Sequence, residues 1–292
     1  MLQWILDVVR GAVIGVSNII PGVSGGTMAV SMGIYDRVIY AVNKLFRQFK
    51  KSFLDILPIL IGVLIGLFAF AALIGTLLGM NSDEIPNTRL PTNFAFIGLI
   101  LGGLPVLYKR VNMREARLPG LILFLIFLAL VVVLPLLNPP EVRTVNPSIG
   151  TALLMILLGM IASATMVIPG VSGSMILMLL GYYNAVINAM NDLRGRDWSS
   201  LVILVPYAIG LLLGIVFIAK LMNFLLKEHA TLTFCAIFGL VIGSPVTLLM
   251  QNRECFPLAD TGTWIASIVC LVIGFMIAWF MSVLDRKQAK TE

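Results

Sequence analysis

Apolar runs of roughly 20 residues, the length needed to cross a hydrocarbon core of about 30 Å, recur along the whole chain between short polar breaks. Ile56 to Met80 and Leu118 to Leu137 are two such runs. Setting apolar stretches against polar breaks predicts helices near 4–20, 25–45, 54–79, 93–108 and 119–137, then near 149–168, 173–191, 199–226, 231–250 and 262–283. The pattern is five segments followed by five. The first two of each set are short, rich in Gly and Ser, and joined through Pro-Gly with no polar loop. Each such pair reads as a helical hairpin that enters the membrane and returns on the same side, because non-helical backbone at depth is tolerated only where protein or a cavity covers it.

The two sets are copies. An offset of 148 residues places Gly11 to Asn43 on Gly159 to Asn191, with thirteen of those 33 positions identical. Pro21/Pro169, Gly22/Gly170, Ser24/Ser172, Gly25/Gly173, Gly33/Gly181 and Tyr35/Tyr183 are among them. Gly62 and Gly66 pair with Gly210 and Gly214, and after a slip of seven residues Gly98 and Gly102 pair with Gly239 and Gly243. Each half holds an odd number of crossings, so the second copy is expected upside down relative to the first. The expected fold is an all-α polytopic membrane protein, one membrane domain over 1–292, built from inverted repeats at 1–140 and 141–292. Each repeat is a re-entrant hairpin plus three transmembrane helices. Inverted repeats with broken helices mark secondary transporters, whose sites lie near the midplane where the copies meet.

Basic residues orient the chain, since Lys and Arg favour cytoplasmic loops. One set of loops carries Lys44, Arg47, Lys50, Lys51, Lys109, Arg110, Arg114, Arg117, Lys220, Lys227, Arg286, Lys287 and Lys290. The alternate set carries only Arg89, Arg143, Arg194, Arg196 and Arg253. Both termini are therefore expected inside a cytoplasmic membrane. The same answer follows from six spans plus two re-entrant hairpins or from ten short spans; segment length favours the first. The first 26 residues do not read as a cleaved signal, because Asp7 and Arg10 interrupt the apolar region and no A-x-A site follows.

Composition removes several function classes. Hydrophobic residues make up 59% of the 292 and charged residues 12%, against about 45–50% and about 25% in soluble domains, so a soluble fold is excluded. The net charge of +6 is spread over short loops rather than gathered on one face, which argues against nucleic acid as a partner. Cys235, Cys255 and Cys270 have no metal-ligand spacing and read as packing residues. The one histidine, His229, falls in an expected loop beside Lys227 and Glu228. No Ser-His pair, metal-ligand set or deep acid pair is visible, so no catalytic residue, metal or cofactor is expected and a lipid-modifying enzyme is disfavoured. Self-association into a homo-oligomer stays open.

The chemistry concentrates at the PGVSG turns. Pro21 and Pro169 end the incoming helix, while Gly22, Gly25, Gly26, Gly170 and Gly173 allow backbone geometry and close approaches closed to other residues. Ser24 and Ser172 stand where an N-cap belongs, with Thr27 or Ser174 just beyond. A helix start offers unsatisfied N–H groups and the positive end of the dipole, an anion site without a charged side chain. Taken singly each turn could be a turn and nothing more; matched copies in inverted halves point to a shared phosphate cradle.

Charge separates the copies. Asp7, Arg10, Asp36 and Arg37 in the first hairpin correspond to Met155, Leu158, Asn184 and Ala185 in the second. At 1.5 Å per residue, Arg10 and Arg37 sit roughly 16 to 24 Å from the turn, near the cytoplasmic mouth. There they are expected to pair across the hairpin with Asp36 and Asp7, or to hold a headgroup phosphate; Asp7 and Asp36 are also candidates for gating or coupling.

The stretches NIIPGVSGGTMAVSMGIYDRVI and MVIPGVSGSMILMLLGYYNAVI resemble the bacterial and archaeal polyprenyl-phosphate transporter family, formerly a domain of unknown function. The resemblance covers nearly the whole chain. It implies a flippase that returns undecaprenyl phosphate, the lipid carrier of cell-wall glycan synthesis, to the inner leaflet for reuse. It places the motif on Pro21, Gly22, Ser24, Gly25, Gly26 and Thr27, and on Pro169, Gly170, Ser172, Gly173 and Ser174. The second turn departs by Ser174 for Gly26 and Met175 for Thr27, so the two turns are not expected to contribute equally. The alternative, from the residues alone, is a secondary transporter of a small soluble anion.

Overall fold

A computed structural model describes residues 2–18, 24–44, 48–69, 73, 76–77, 87–111, 113–137 and 148–288. Among these, the regular structure is helical throughout. The helices are α1 (Leu2–Ser17), α2 (Gly25–Ser31), α3 (Tyr35–Lys44), α4 (Phe49–Ala69), α5 (Arg89–Arg110), α6 (Met113–Val133), α7 (Ile149–Val167), α8 (Gly173–Leu179), α9 (Tyr183–Arg194), α10 (Leu201–Glu228), α11 (Ala230–Gln251) and α12 (Thr261–Gln288). Seven are long and apolar enough to cross a membrane. Six of these, α4, α5, α6, α10, α11 and α12, are the segments expected as full spans. The seventh is α7, the incoming arm of the second hairpin, whose 19 residues make it about 28 Å long.

The outgoing arms differ from expectation. The segments read as single helices over 25–45 and 173–191 are each two helices, and α8 and α9 meet at 112°. The cause is a matched pair of glycine stops. Gly33 and Gly181 adopt φ of 75° and 81°. Beside them Ile34 N–H donates to the Ala29 carbonyl at 3.0 Å and Tyr182 N–H to the Leu177 carbonyl at 2.9 Å. This six-to-one bond with a left-handed glycine is a Schellman stop, which uses the orphan carbonyls of a helix end and turns the chain. The outgoing arm is thus a seven-residue helix that turns sharply into α3 or α9.

Helices pair in a pattern that recurs in both halves, and glycines set the distance. At the α1–α4 crossing a Cβ on Gly62 would lie 2.0 Å from the Val8 carbonyl oxygen; at α7–α10 a Cβ on Gly210 would lie 2.1 Å from that of Ile156. Farther along, Gly98 faces Leu271 across α5–α12, and Gly239 faces Phe124 across α6–α11. In both halves, then, the hairpin's first arm packs on the next long helix of its own half, and the remaining long helices exchange partners between halves. Gly62→Ala is expected to lower stability by about 1–3 kcal/mol, because helix backbones must separate to admit the methyl. A thermal melt in detergent checks this, with Gly150→Ala as a neutral control, since at Gly150 a Cβ would meet nothing closer than 3.8 Å.

Burial orders the helices from centre to edge. In α5 and α11, 59% and 61% of the spanning residues are buried, against 11% in α6 and 17% in α10. The outer helices present Leu121, Leu125, Leu212, Phe217, Ile273 and Phe280 to the surroundings. A belt of exposed aliphatic and aromatic side chains around buried polar residues is the signature of a bilayer as solvent, and the chain is a multi-pass membrane protein.

Candidate functional site

The two hairpin turns meet. Pro21 and Gly22 lie outside the described residues, but the first turn can be followed from Ser24. There the Ser24 hydroxyl donates to the Ile168 carbonyl at 3.5 Å, and the Gly170 N–H donates to Thr27 Oγ1 at 2.6 Å. A Cβ on Gly26 would lie 2.8 Å from the Val167 carbonyl oxygen, so only glycine lets α2 approach the end of α7 this closely. Thr27 is fully buried and Ser24 is 4% exposed. Gly170 has φ +86°, and a Cβ there would meet Leu240 of α11 at 2.9 Å, which locks the second turn onto a central helix.

Between the turns lies a pocket. Its wall comes from both hairpins at matched positions: Ser24 and Ser172, Gly25 and Gly173, Asn18 and Met166, with Val171 and Ser174. Among the described residues, no charged side chain lines it. Ser24 and Ser172 are the N-cap residues of α2 and α8, with extended backbone (φ −99° and −93°), yet neither side chain caps its helix. Ser24 instead reaches across to the other turn, and the Ser172 and Ser174 hydroxyls share a 2.8 Å hydrogen bond. Hydroxyls not spent on capping can rotate to donate to a bound anion. The helix dipole contributes less than the turn motif suggests, because α2 and α8 are only seven residues long.

Asn18 was missed in the sequence reading. Its carboxamide lies against Gly25, where a Cβ would sit 2.8 Å from Nδ2, and Nδ2 donates to the Ile14 carbonyl at 3.0 Å. The signal was present in the 148-residue offset, which sets Asn18 against Met166: one polar and one apolar residue at the same place beside the turn.

The charged residues gather elsewhere. Asp7 accepts from Arg10 at 3.0 Å and from Arg37 at 2.6 Å, and Arg37 also holds Asp55 of α4 at 2.8 Å. The Arg37–Asp7 pair was expected and ties the start of α3 to the start of α1, so the first hairpin returns to the side it came from. The pairing of Arg10 with Asp36 does not form. Arg10, 0% exposed, bonds Asp7 one turn away on its own helix, while Asp36 bonds Arg110 at the end of α5. Neither Arg10 nor Arg37 lines the turn pocket. In the second hairpin the corresponding Met155 and Leu158 are buried in an apolar cluster with Leu177, flanked by Ile203, the 148-offset partner of Asp55. One copy holds its mouth together by ions and the other by aliphatic packing.

At the opposite end of α5, the Asn252 carboxamide oxygen accepts from Arg89 and from Asn93, both at 3.1 Å. Asn93 and Asn252 are buried, and at that end of the core a guanidinium is held by carboxamide oxygen, in contrast to the ion pairs around Asp7 and Asp36.

Seven long apolar helices, glycine-set crossings and an uncharged polar pocket between two matched hairpins define a multi-pass membrane protein with a site in its core. A family model described as undecaprenyl phosphate translocase-like matches residues 14–261, and the chain belongs to that family. It is 31% identical over 283 residues, 94% of this chain and 95% of the relative, to a protein of Staphylococcus aureus named polyprenyl-phosphate transporter. A Vibrio cholerae protein of the same name is 26% identical over 260 residues, 83% of this chain and 77% of that one. No solved structure matches the chain.

Proposed function

We propose that the protein is a transporter that carries a polyprenyl phosphate, undecaprenyl phosphate for cell-wall glycan recycling, between the leaflets of the cytoplasmic membrane. The observation that carries this reading is the pocket where the two hairpin turns meet, whose polar lining among the described residues is hydroxyls, the Asn18 carboxamide and glycine backbone, with no charged side chain. A neutral cradle binds a phosphate by hydrogen bonds and releases it again, whereas a buried cation would hold it. The names borne by the S. aureus and V. cholerae relatives support the lipid and support transport rather than catalysis.

In this reading the halves 1–140 and 141–292 are inverted repeats, both termini are cytoplasmic, and the headgroup rests on Ser24, Gly25, Ser172, Gly173 and Ser174, with Gly26, Thr27 and Gly170 holding the two turns together beside it, while the prenyl tail stays in lipid. Pro21, Gly22 and Pro169 shape the turns. Asp7, Arg10, Arg37 and Asp36 serve the cytoplasmic mouth. The halves rock about the shared site, as repeats do in alternating access.

Occupancy of the pocket is tested by chemical protection. Ser172→Cys, placed in a Cys270→Ser background, is expected to react with a small alkylating reagent and to be protected by farnesyl phosphate but not by farnesol. Equal protection by both, or by neither, would count against a phosphate site at the turns. Protection by inorganic phosphate alone, with uptake of that anion into vesicles, would favour a soluble-anion transporter.

A further inference from the structure

A second, small and mainly apolar cleft shares no lining residue with the turn pocket. Tyr35 and Asp36 from the start of α3 form one side and Arg110 from the end of α5 the other, over an apolar wall of Val30, Leu107 and Phe234. Arg110 pairs with Asp36, and the two side chains are 42% and 40% exposed. Half-exposed ion pairs contribute little, so the carboxylate is a replaceable occupant of the guanidinium. Arg110 also stacks on Phe234, 5.5 Å from the ring centre, which keeps the guanidinium in the cleft when its partner leaves.

The hydroxyl of Tyr35 makes this more than a strut. Tyr35 is 5% exposed and its hydroxyl has no hydrogen-bond partner among the described residues; nor has Ser31 Oγ, at the end of α2 before the Gly33 joint. A buried hydroxyl with no partner among the described residues has its donor to offer to a group brought beside it. A phosphate taking the place of the Asp36 carboxylate would find matching groups: the guanidinium fork for two of its oxygens, the phenol for a third once the Tyr35 ring turns toward it, and the apolar wall for a hydrocarbon substituent.

We propose that this cleft is a second phosphate site, in which a phosphate dianion displaces Asp36 from Arg110 and accepts a hydrogen bond from Tyr35. This rests on the reading of the protein as a phosphate-lipid transporter. Asp36 belongs to the hairpin arm and Arg110 to a central helix, so the exchange releases the start of α3 from the end of α5, while α2 stays packed on α5 where Ser31 meets Gly103. The left-handed joint at Gly33, which also lines the cleft, lies between the start of α3 and α2 at the turn pocket. Asn184 stands at the position of Asp36 in the second hairpin, so only the mouth at the Arg110 end works by exchange.

The test measures binding of farnesyl phosphate, inorganic phosphate and farnesol by native mass spectrometry, in a Ser24→Ala/Ser172→Ala background that weakens the turn pocket. Asp36→Asn removes the competing carboxylate and is expected to raise farnesyl phosphate affinity at least threefold. Arg110→Gln and Tyr35→Phe are expected to lower it at least threefold. Tyr35→Phe is expected to leave the melting temperature of the empty protein unchanged or higher, which a structural role for the hydroxyl would not allow. The same ranking with inorganic phosphate assigns the site to free phosphate, and the ranking with farnesyl phosphate alone assigns it to the lipid headgroup. Farnesol binding as tightly as farnesyl phosphate, or an Asp36→Asn affinity unchanged or lower, overturns the proposal. If the wild type exchanges lipid while these variants bind alike, only the second site fails; if the wild type neither binds nor exchanges the lipid, the transporter reading fails as well.

Discussion

Asp7→Ala is expected to destabilise the protein by about 3–5 kcal/mol, the loss typical when one member of a buried ion pair is removed. The carboxylate is 1% exposed and serves two guanidinium groups, Arg10 at 3.0 Å and Arg37 at 2.6 Å. Arg37 keeps Asp55, but Arg10, at 0% exposure, loses the carboxylate bonded to it in a place water does not reach. The second hairpin shows what the same position accepts without charge, since Met155 and Leu158 fill it with aliphatic volume. Asp7→Met with Arg10→Leu is therefore expected to lie much nearer to the wild type than Asp7→Ala does. Thermal melts of the three proteins in one detergent check the order. A single variant as stable as the wild type would mean that the buried pair holds nothing together.

Gly170→Ala has the second large effect, and it falls on stability and transport together. The left-handed φ of +86° costs a residue with a Cβ about 1–2 kcal/mol, and the Cβ would press on Leu240 at 2.9 Å for roughly another 1–3 kcal/mol. Relief can come only by moving the turn away from α11. That movement breaks the 2.6 Å bond from Gly170 N–H to Thr27 Oγ1, a direct hydrogen bond between the two turns. Lipid exchange is expected to fall by more than the loss of folded protein explains. A folded variant with wild-type exchange would separate the turn contact from function.

Much of this was legible in the chain because membrane helices write their pattern plainly. Apolar runs gave the six long spans, and the offset of 148 residues picked out glycines that prove to sit at helix crossings, Gly62 and Gly66 against α1, Gly210 and Gly214 against α7. The break after α2 and α8 was harder to read, since Gly33 and Gly181 stand inside apolar runs that look continuous. A helix-stop glycine is recognised by its left-handed φ, and hydropathy carries no trace of that. The outer bond of the charged cluster was legible from depth alone, because Asp7 and Arg37 fall at one level on two antiparallel arms. Asp36–Arg110 was not, because it depends on where α5 ends relative to α3, a tertiary relation that no local spacing encodes. The expected caps at Ser24 and Ser172 had the right positions and the wrong partners. Their backbone is that of an N-cap, but the meeting of the turns draws the hydroxyls toward the other hairpin and toward Ser174.

The unequal hairpins have a physical consequence. Apolar packing such as that of Met155 and Leu158 slides without leaving a charge unsolvated, whereas the Asp7 cluster comes apart only at the cost of exposing a buried guanidinium to an apolar setting. The first hairpin should therefore stay anchored to α4 at its base and move at its outgoing arm, where Gly33 supplies the joint.

The decisive measurement is leaflet exchange of labelled undecaprenyl phosphate in vesicles holding the wild-type protein or its Ser24→Ala/Ser172→Ala variant. Hydrogen bonds to a charged group are worth about 1.5–3 kcal/mol each, so losing both serines should slow exchange at least tenfold while the fold persists. Exchange by the wild type and its loss in the variant is the expected result; a wild type that leaves the lipid in its original leaflet, or a double variant that exchanges it at the full rate, would contradict a phosphate cradle between the turns.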